Sequence, residues 1–397
     1  MLLKTSYPPA TRGKVVVWGL LASYPFGGMT WQVLHYVAGL RRLGFDVWYV
    51  EDSDRCVLDI QTYCKTTEWS RNVDYLIQQL GSAGLRDRWM FCPPGDPDKV
   101  LGGSKSALQN LYREADAVFN LCACQELRPE HDVIRRLVLV ETDPGEIQVA
   151  VASGNRCLWD ELDRYHYLFT YGENLGEPDC RIPVERYTWH KTRPPVCIDW
   201  WETEGLPSSG TPFTTVANWK HSGRDLVWNG ELWRWSKHHA FQTVIELASR
   251  SPLPMEMALG TVSEDEITEL RNRGWRIRNT EDLSDPDAYR RYIQSSLGEF
   301  TVAKEQYVRP VSGWFSDRSV CYLAAGRPVI TQDTGFAKNI PTGAGLFAFR
   351  TQDEALSALE TVAVDYCRHA KAAQEIAHEY FGAERVLSKM LETAGLL

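Results

Sequence analysis

Short β-branched apolar runs alternate with helical segments along this chain, and the alternation happens twice. Lys14 to Leu20 is followed by the turn Tyr24-Pro25-Phe26-Gly27-Gly28, and then by Trp31, Leu34, Val37, Ala38 and Leu40 at helical spacing. Gly44 stops that helix, and Asp46 to Val50 reads as a second strand ending at Glu51-Asp52-Ser53-Asp54. Further strands are expected at Ala117 to Leu121, Leu137 to Glu141 and Tyr167 to Tyr171, with helices at Asn72 to Gly81 and Leu108 to Glu114. After an irregular stretch, Gly172 to Gly210, the pattern restarts with strand Phe213 to Ala217 and a loop to Ser236. Helices are expected at His238 to Ser249, Glu264 to Arg273, Pro286 to Ser295 and Ser316 to Ala325. The strands between them are Met255 to Leu259, Trp275 to Arg278, Gly298 to Val302, Pro328 to Thr331 and one near Leu346. Amphipathic helices Gln352 to Val364, Tyr366 to Tyr380 and Ala383 to Leu391 end the chain. Such alternation builds parallel sheets, so the expected class is α/β with two facing Rossmann-like domains and a cleft between them. The expected boundaries are 1–190, 191–375 and a helical tail, 376–397, crossing back to the first domain.

Composition narrows the partners. At 397 residues, and ~150 per domain, the chain has room for two cores. A net charge of −9 argues against a nucleic-acid or anionic-membrane surface. The best apolar run, Val15 to Ala22, is far short of the ~20 residues a membrane helix needs, so no integral membrane segment and a cytoplasmic location are expected. The 10 cysteines form no Cys-x-x-Cys pair and read as buried reduced thiols. Tryptophan is concentrated: 7 of 15 lie between Trp189 and Trp235, where flat indoles fill a core or stack on sugars and bases.

Ligands of open parallel sheets sit outside the carboxyl ends of the strands, so the residues just after each strand are the informative ones. In the first half these are Gly27, Gly28, Asp52, Asp54, Cys122 to Glu126 and Thr142-Asp143-Pro144. The Gly27-Gly28 turn lacks Gly-x-Gly-x-x-Gly spacing and reads either as a tight turn or as a close approach to an oxygen-rich ligand. Asp52 admits a metal, a ribose or a solvated-turn role, and Asp143 either caps the next helix or takes a proton from an acceptor hydroxyl. His35 and His238-His239 read as packing or surface. In the second half the corresponding positions are Asn218 to Arg224, Gly260, Lys304 to Arg309 and Asp333 to Gly335.

The strongest signal is Ser312-Gly313-Trp314-Phe315-Ser316-Asp317-Arg318-Ser319, which opens a helix ending at Gly326. Small and hydroxyl-bearing residues at a helix start present N–H donors to an anion, and Arg318 adds a fixed charge. This reads as a diphosphate cradle, with Lys220, Arg224 and Lys237 on the loop after strand Phe213 to Ala217 placed to neutralise it.

At this point the chain resembles a nucleotide-sugar glycosyltransferase of the two-domain GT-B type. Asp317 to Ile330, with Ala325-Gly326-Arg327-Pro328-Val329-Ile330, is similar to the segment ending Ala-Cys-Gly-x-Pro-Val-Ile of glycosyltransferase family four. It also resembles the Arg-x-x-Glu-Ala-Leu-Ala-Cys-Gly segment of CgeB-like family-one glycosyltransferases, whose Arg matches Arg318. The resemblance implies that Lys237 binds pyrophosphate. It departs from the families at Gly313 and Cys321, where they carry Glu residues that face the donor sugar and the donor ribose respectively. Asp317 is a candidate to take over part of the missing carboxylate role.

The expected activity is metal-independent hexosyl or pentosyl transfer from a nucleoside-diphosphate sugar to a small-molecule or glycan acceptor, with no cofactor beyond the donor. Arg318, Lys237 and Asp143 are the expected catalytic residues, Asp143 taking the acceptor's proton if the reaction inverts, whereas a retaining reaction needs no enzyme base. Lys220, Arg224, Trp314, Ser316, Asp317, Ser319 and Gly335 are expected at the donor, and Gly27, Gly28 and Asp52 at the acceptor. Trp219, Trp228 and Trp314 are the stacking candidates. A GT-B nucleotide-sugar epimerase and a non-catalytic two-lobed ligand-binding protein are the competing readings.

Overall fold

Val15, Val16, Val17 and Trp18 are all fully buried, which a strand acquires only when helices cover both faces of its sheet. The computed structural model describes Leu3 and residues 7–96, 98–203 and 205–397. The first half forms a 7-stranded sheet in the order Trp89–Phe91, Asp46–Glu51, Lys14–Trp18, Ala117–Leu121, Leu137–Glu141, Tyr167–Thr170, Trp189–Lys191, parallel throughout. The second half forms a 6-stranded parallel sheet in the order Arg276–Asn279, Met255–Gly260, Phe213–Asn218, Gly298–Thr301, Val329–Gln332, Leu346–Phe349. Two doubly wound α/β domains therefore follow one another, as the alternation predicts.

The departures are local. The edge strands Trp89–Phe91 and Trp189–Lys191 are too short to carry an apolar run. The loop expected up to Ser236 contains an antiparallel hairpin, Leu226–Trp228 with Glu231–Trp233. Its turn is Asn229-Gly230, both at positive φ, the geometry a two-residue hairpin requires. The helix expected over His238 to Ser249 is interrupted, giving His238–Gln242 and Leu247–Arg250, and Glu146–Ala152 and Arg156–Leu162 are helices that the periodicity does not show. The cysteines are free, but Cys56, Cys64, Cys157 and Cys367 are exposed, which corrects the expectation of uniformly buried thiols.

One apolar cluster joins the two domains, with Trp31, Tyr36 and Trp201 meeting Phe315, Leu323, Phe336 and Phe381. Trp31 Nε1 donates to Pro286 O at 2.9 Å, so this indole both fills the joint and fixes it. The helix Ala383–Thr393 lies on Gly27–Arg42, and Gly39 allows it: a Cβ there would sit 2.5 Å from Leu387 Cδ1. Where the tail passes the connecting stretch, Val196 N donates to Phe381 O at 2.8 Å and Ala383 N to Val196 O at 2.9 Å.

Candidate active site

Strand order reverses between Lys14–Trp18 and Ala117–Leu121 in the first domain, and between Phe213–Asn218 and Gly298–Thr301 in the second. Each reversal opens a crevice at the carboxyl ends, and residues following these strands meet across the domain boundary. Gln32 Nε2 donates to Asp317 Oδ2 at 3.1 Å, Trp314 Nε1 donates to Thr142 O at 2.8 Å, and Lys304 Nζ lies 3.3 Å from Asp143 Oδ1.

On the second-domain side, Ser316 caps the helix Asp317–Ala324, its hydroxyl oxygen accepting from the Arg318 N–H at 3.2 Å. The Arg318 guanidinium fills the crevice itself. It bonds Glu299 Oε1 at 2.5 Å, Val216 O at 2.6 Å and Thr301 Oγ1 at 2.9 Å, tying both reversing strands to the helix. Its charge underlies the site, while much of the expected fork is already occupied. The Ser319 hydroxyl, buried in the first turn, has no hydrogen-bond partner.

Lys237 is the cation that stands apart. Among the described residues no carboxylate lies within ion-pair reach of its half-buried ammonium, whereas Lys304 faces Asp143, Arg224 faces Glu146 and Arg318 faces Glu299. Burial, then the charges of Arg318 and Lys304, push the Lys237 amine well below its ordinary value against the pull of Glu299 and Asp143. Such a group gains from any anion that arrives. Lys304 is similarly held down to about 8, by burial and by Arg224, with Asp143 opposing. Trp235 is clasped between the two flanking cations, Lys304 Nζ 3.0 Å and Arg224 Cζ 3.6 Å from its ring centroid. Trp314 stacks on Tyr307, centroids 4.3 Å apart.

On the first-domain side, Asp143 accepts from the Tyr307 hydroxyl as well as from Lys304. Burial raises its carboxyl, but Lys304, Tyr307 and Arg224 outweigh that and hold it below the usual carboxylate range. Thr142 Oγ1 donates to Cys122 Sγ at 3.2 Å, and Cys122 Sγ donates to Gln32 Oε1 at 3.1 Å. Cys122 and Ala123 both have positive φ, a strained pair directly after a strand and uncommon away from glycine.

Several expected site residues are engaged elsewhere. Asp52, expected at the acceptor, is bound by Arg128 at 2.5 Å, by Tyr112 at 3.0 Å and by His131 at 3.4 Å, all within its own domain. Lys220, 52% exposed, pairs with Glu266 at 2.8 Å rather than joining Lys237. Arg224 bonds Glu146 and clasps the domains together. Trp219, 1% exposed, stacks on Phe241 in the core, so it is no ligand platform. Gly335 sits at positive φ where a Cβ would come 2.6 Å from Asn174 Nδ2, so its smallness serves the joint between domains. Gly27 does the same: its Cβ would meet Leu283 O and Tyr289 Cβ, each at 2.9 Å, while Gly28 lies beside the Tyr289 hydroxyl. Cys321, where the resembled families carry Glu, is buried and bonds back to Asp317 O at 3.2 Å. Sequence reasoning did not single out Gln32, Trp235 or Glu299, and it covered Tyr307 only within the stretch Lys304 to Arg309. Position after a strand or in the first turns of the next helix is the signal that marks Gln32 and Tyr307.

Two parallel α/β domains that face each other across such a cleft, with a terminal helix returned to the first, constitute the GT-B fold. Solved structures agree. An alpha-glucosyltransferase in complex with UDP and a 13-mer DNA containing an HMU base superposes at TM-score 0.57, with 10% identity over 96% of this chain and 99% of that one. HepE from Anabaena, in complex with UDP and glucose, gives 0.55 at 12% identity over 97% and 100%. Sucrose-phosphate synthase from Thermosynechococcus elongatus gives 0.54 at 10% identity over 96% and 98%. Neither a family model nor a curated protein matches this chain. Among the described residues no helix is long and apolar enough to cross a membrane, and no cluster of three or more His, Cys, Asp or Glu could hold a metal ion.

Proposed function

We propose that this protein is a glycosyltransferase that moves a sugar from a nucleoside-diphosphate donor, held mainly by the second domain, to a small-molecule or glycan acceptor against the first. The observation that carries the reading is the Lys237 amine at the second domain's crevice, which among the described residues has no carboxylate in ion-pair reach and which feels the charges of Arg318 and Lys304. Glycosyl transfer develops negative charge on the departing diphosphate, and fixed positive charge at those oxygens is the largest stabilisation a site of this kind offers. The unpartnered Ser319 hydroxyl and the start of helix Asp317–Ala324 add donors for the same anion. With the leaving group neutralised by side chains, transfer proceeds without a divalent metal. The likeness of Asp317 to Ile330 to family four and the CgeB-like enzymes, and the UDP in complex with two of the structural neighbours, support nucleotide binding. Gly28, Trp314, Ser316 and Asp143, which follow strands or open helices at the domain boundary, are assigned to ligand positioning.

The test is thermal stabilisation by UDP, GDP and ADP in the presence of chelator. A nucleoside diphosphate at 100 times its Kd should stabilise the fold by about 2.7 kcal/mol, and Lys237→Met should remove most of that gain. Stabilisation by free sugars with none by nucleotides would instead mark a two-lobed sugar binder.

A further inference from the structure

The loop that delivers Lys237 does not stay in its own domain. It leaves strand Phe213–Asn218, runs out as the hairpin Leu226–Trp228 with Glu231–Trp233, and returns to Lys237 just before helix His238–Gln242. Cross-strand pairing sorts the hairpin into two faces. Leu226 lies opposite Trp233 and Trp228 opposite Glu231, while Val227 and Leu232 pair on the other side and are exposed. A lone two-stranded ribbon is barely stable in water, so its inner face has to find a surface.

That surface belongs to the first domain. Trp233 is buried in a cluster whose other buried members, among the described residues, all lie between Leu139 and Trp189 in the chain. Leu226 and Trp228 pack against the same cluster, and Leu226 Cδ1 lies 3.6 Å from where a Cβ on Gly145 would stand. Ion pairs flank the docked face: Arg224 with Glu146, and Arg181 with Glu231, whose two oxygens each accept from Arg181 Nη1 at 2.7 Å. The root of the hairpin, by contrast, is fixed in the second domain. The carbonyl of Trp219, a core residue there, accepts from the Ser236 hydroxyl at 3.3 Å and from the His238 N–H at 3.2 Å. Ser236 Oγ accepts in turn from the His221 N–H at 3.0 Å. Lys237 stands between Ser236 and His238. A buried indole at the far end and a bonded neck at the near end leave so short a ribbon little play, so the first domain's hold on Trp233 bears on where Lys237 stands.

Resting on the glycosyl-transfer reading, we propose that this hairpin is an arm through which the first domain positions Lys237 for the donor diphosphate, with Trp233 and the Arg224–Glu146 pair as positioning residues. Arg224 then acts on the anion through Glu146 and the hairpin, without touching phosphate. Lobes that part must draw Trp233 from its cluster or shift the neck. The full grip on the diphosphate therefore exists only with the lobes together, the state that also excludes water.

The test is the affinity for whichever of UDP, GDP and ADP stabilises the fold, measured by titration calorimetry at low ionic strength, where exposed ion pairs are least screened. Arg224→Glu and Glu146→Arg should each weaken binding about fivefold, and the double variant, which restores the pair with its signs exchanged, should recover most of that loss. An Arg224 that met phosphate itself gives another pattern: Glu146→Arg binds as well as wild type or better, and the double variant binds no better than Arg224→Glu. Either of those results overturns the arm while leaving sugar transfer intact. Trp233→Ala should weaken binding about tenfold with unchanged far-UV circular dichroism, and in the Lys237→Met background it should cost nothing further, because its effect runs through that amine. The charge exchange decides the matter even where Trp233→Ala does not fold. A wild type that binds none of the three nucleotides overturns the reading beneath the arm, and the arm with it.

Discussion

Lys304 of the second domain and Asp143 of the first face each other across the cleft, Nζ to Oδ1 3.3 Å, with the Tyr307 hydroxyl on the same carboxylate oxygen. The pair links the lobes and keeps Lys304 charged where burial and Arg224 press against it. An arriving diphosphate supplies further negative charge, so protons should be taken up on nucleotide binding near pH 8. Titration calorimetry of UDP in buffers of different ionisation enthalpy measures that uptake. Asp143→Asn should enlarge it, because Lys304 then starts from a lower value, and Lys304→Met should reduce it.

Arg318 stands over Glu299, which is fully buried, while its own side chain is 14% exposed. Removing the guanidinium strands a charge inside the sheet. Arg318→Met should cost about 3–5 kcal/mol in urea denaturation, and the double variant with Glu299→Met should recover much of it.

Asp52 separates structure from function. Its carboxylate is 9% exposed and bonded to Arg128, Tyr112 and His131, so Asp52→Asn should destabilise the fold by roughly 1–3 kcal/mol. UDP binding, measured by the same thermal shift, should stay unchanged.

Glu141 makes a pH prediction. Burial lifts its carboxyl to about 8 against the bonds from Thr170 and Gln148, and its Oε1 has no partner. In the unfolded chain it titrates near ~4.3. Its contribution to stability is therefore complete below that value and is lost as pH rises through about 8. Glu141→Gln should melt higher than wild type at alkaline pH, the two curves converging in mild acid.

Much of the architecture is legible because buried parallel strands must be nearly continuous apolar runs, as Val15 to Trp18 and Leu137 to Val140 are. The edge strands Trp89–Phe91 and Trp189–Lys191 escape notice because three residues cannot show a period. The Leu226 to Trp233 hairpin had a readable signal in Asn229-Gly230 between alternating residues. The site was harder. Sequence locates Lys237, Asp143 and Arg318 at strand or helix ends, but which charges are already neutralised depends on long-range pairs such as Arg224 with Glu146 and Lys220 with Glu266. No local pattern encodes those partnerships. Glycines mislead for a related reason: Gly27 and Gly335 are small to admit the opposing domain, and in sequence that need looks the same as room for a ligand.

The backbone passes between lobes at two places that are laced side by side, Val196 bonding to both Phe381 and Ala383. A paired crossing of this kind behaves like a folded sheet of paper: it resists shear and twist far more than bending. Opening of the cleft should then follow a single rocking axis through Val196, so the mouth beside Trp314 and Thr142 gapes while the Trp31 joint near the pivot barely parts. Weakening that seam should blur the motion before it unfolds either lobe.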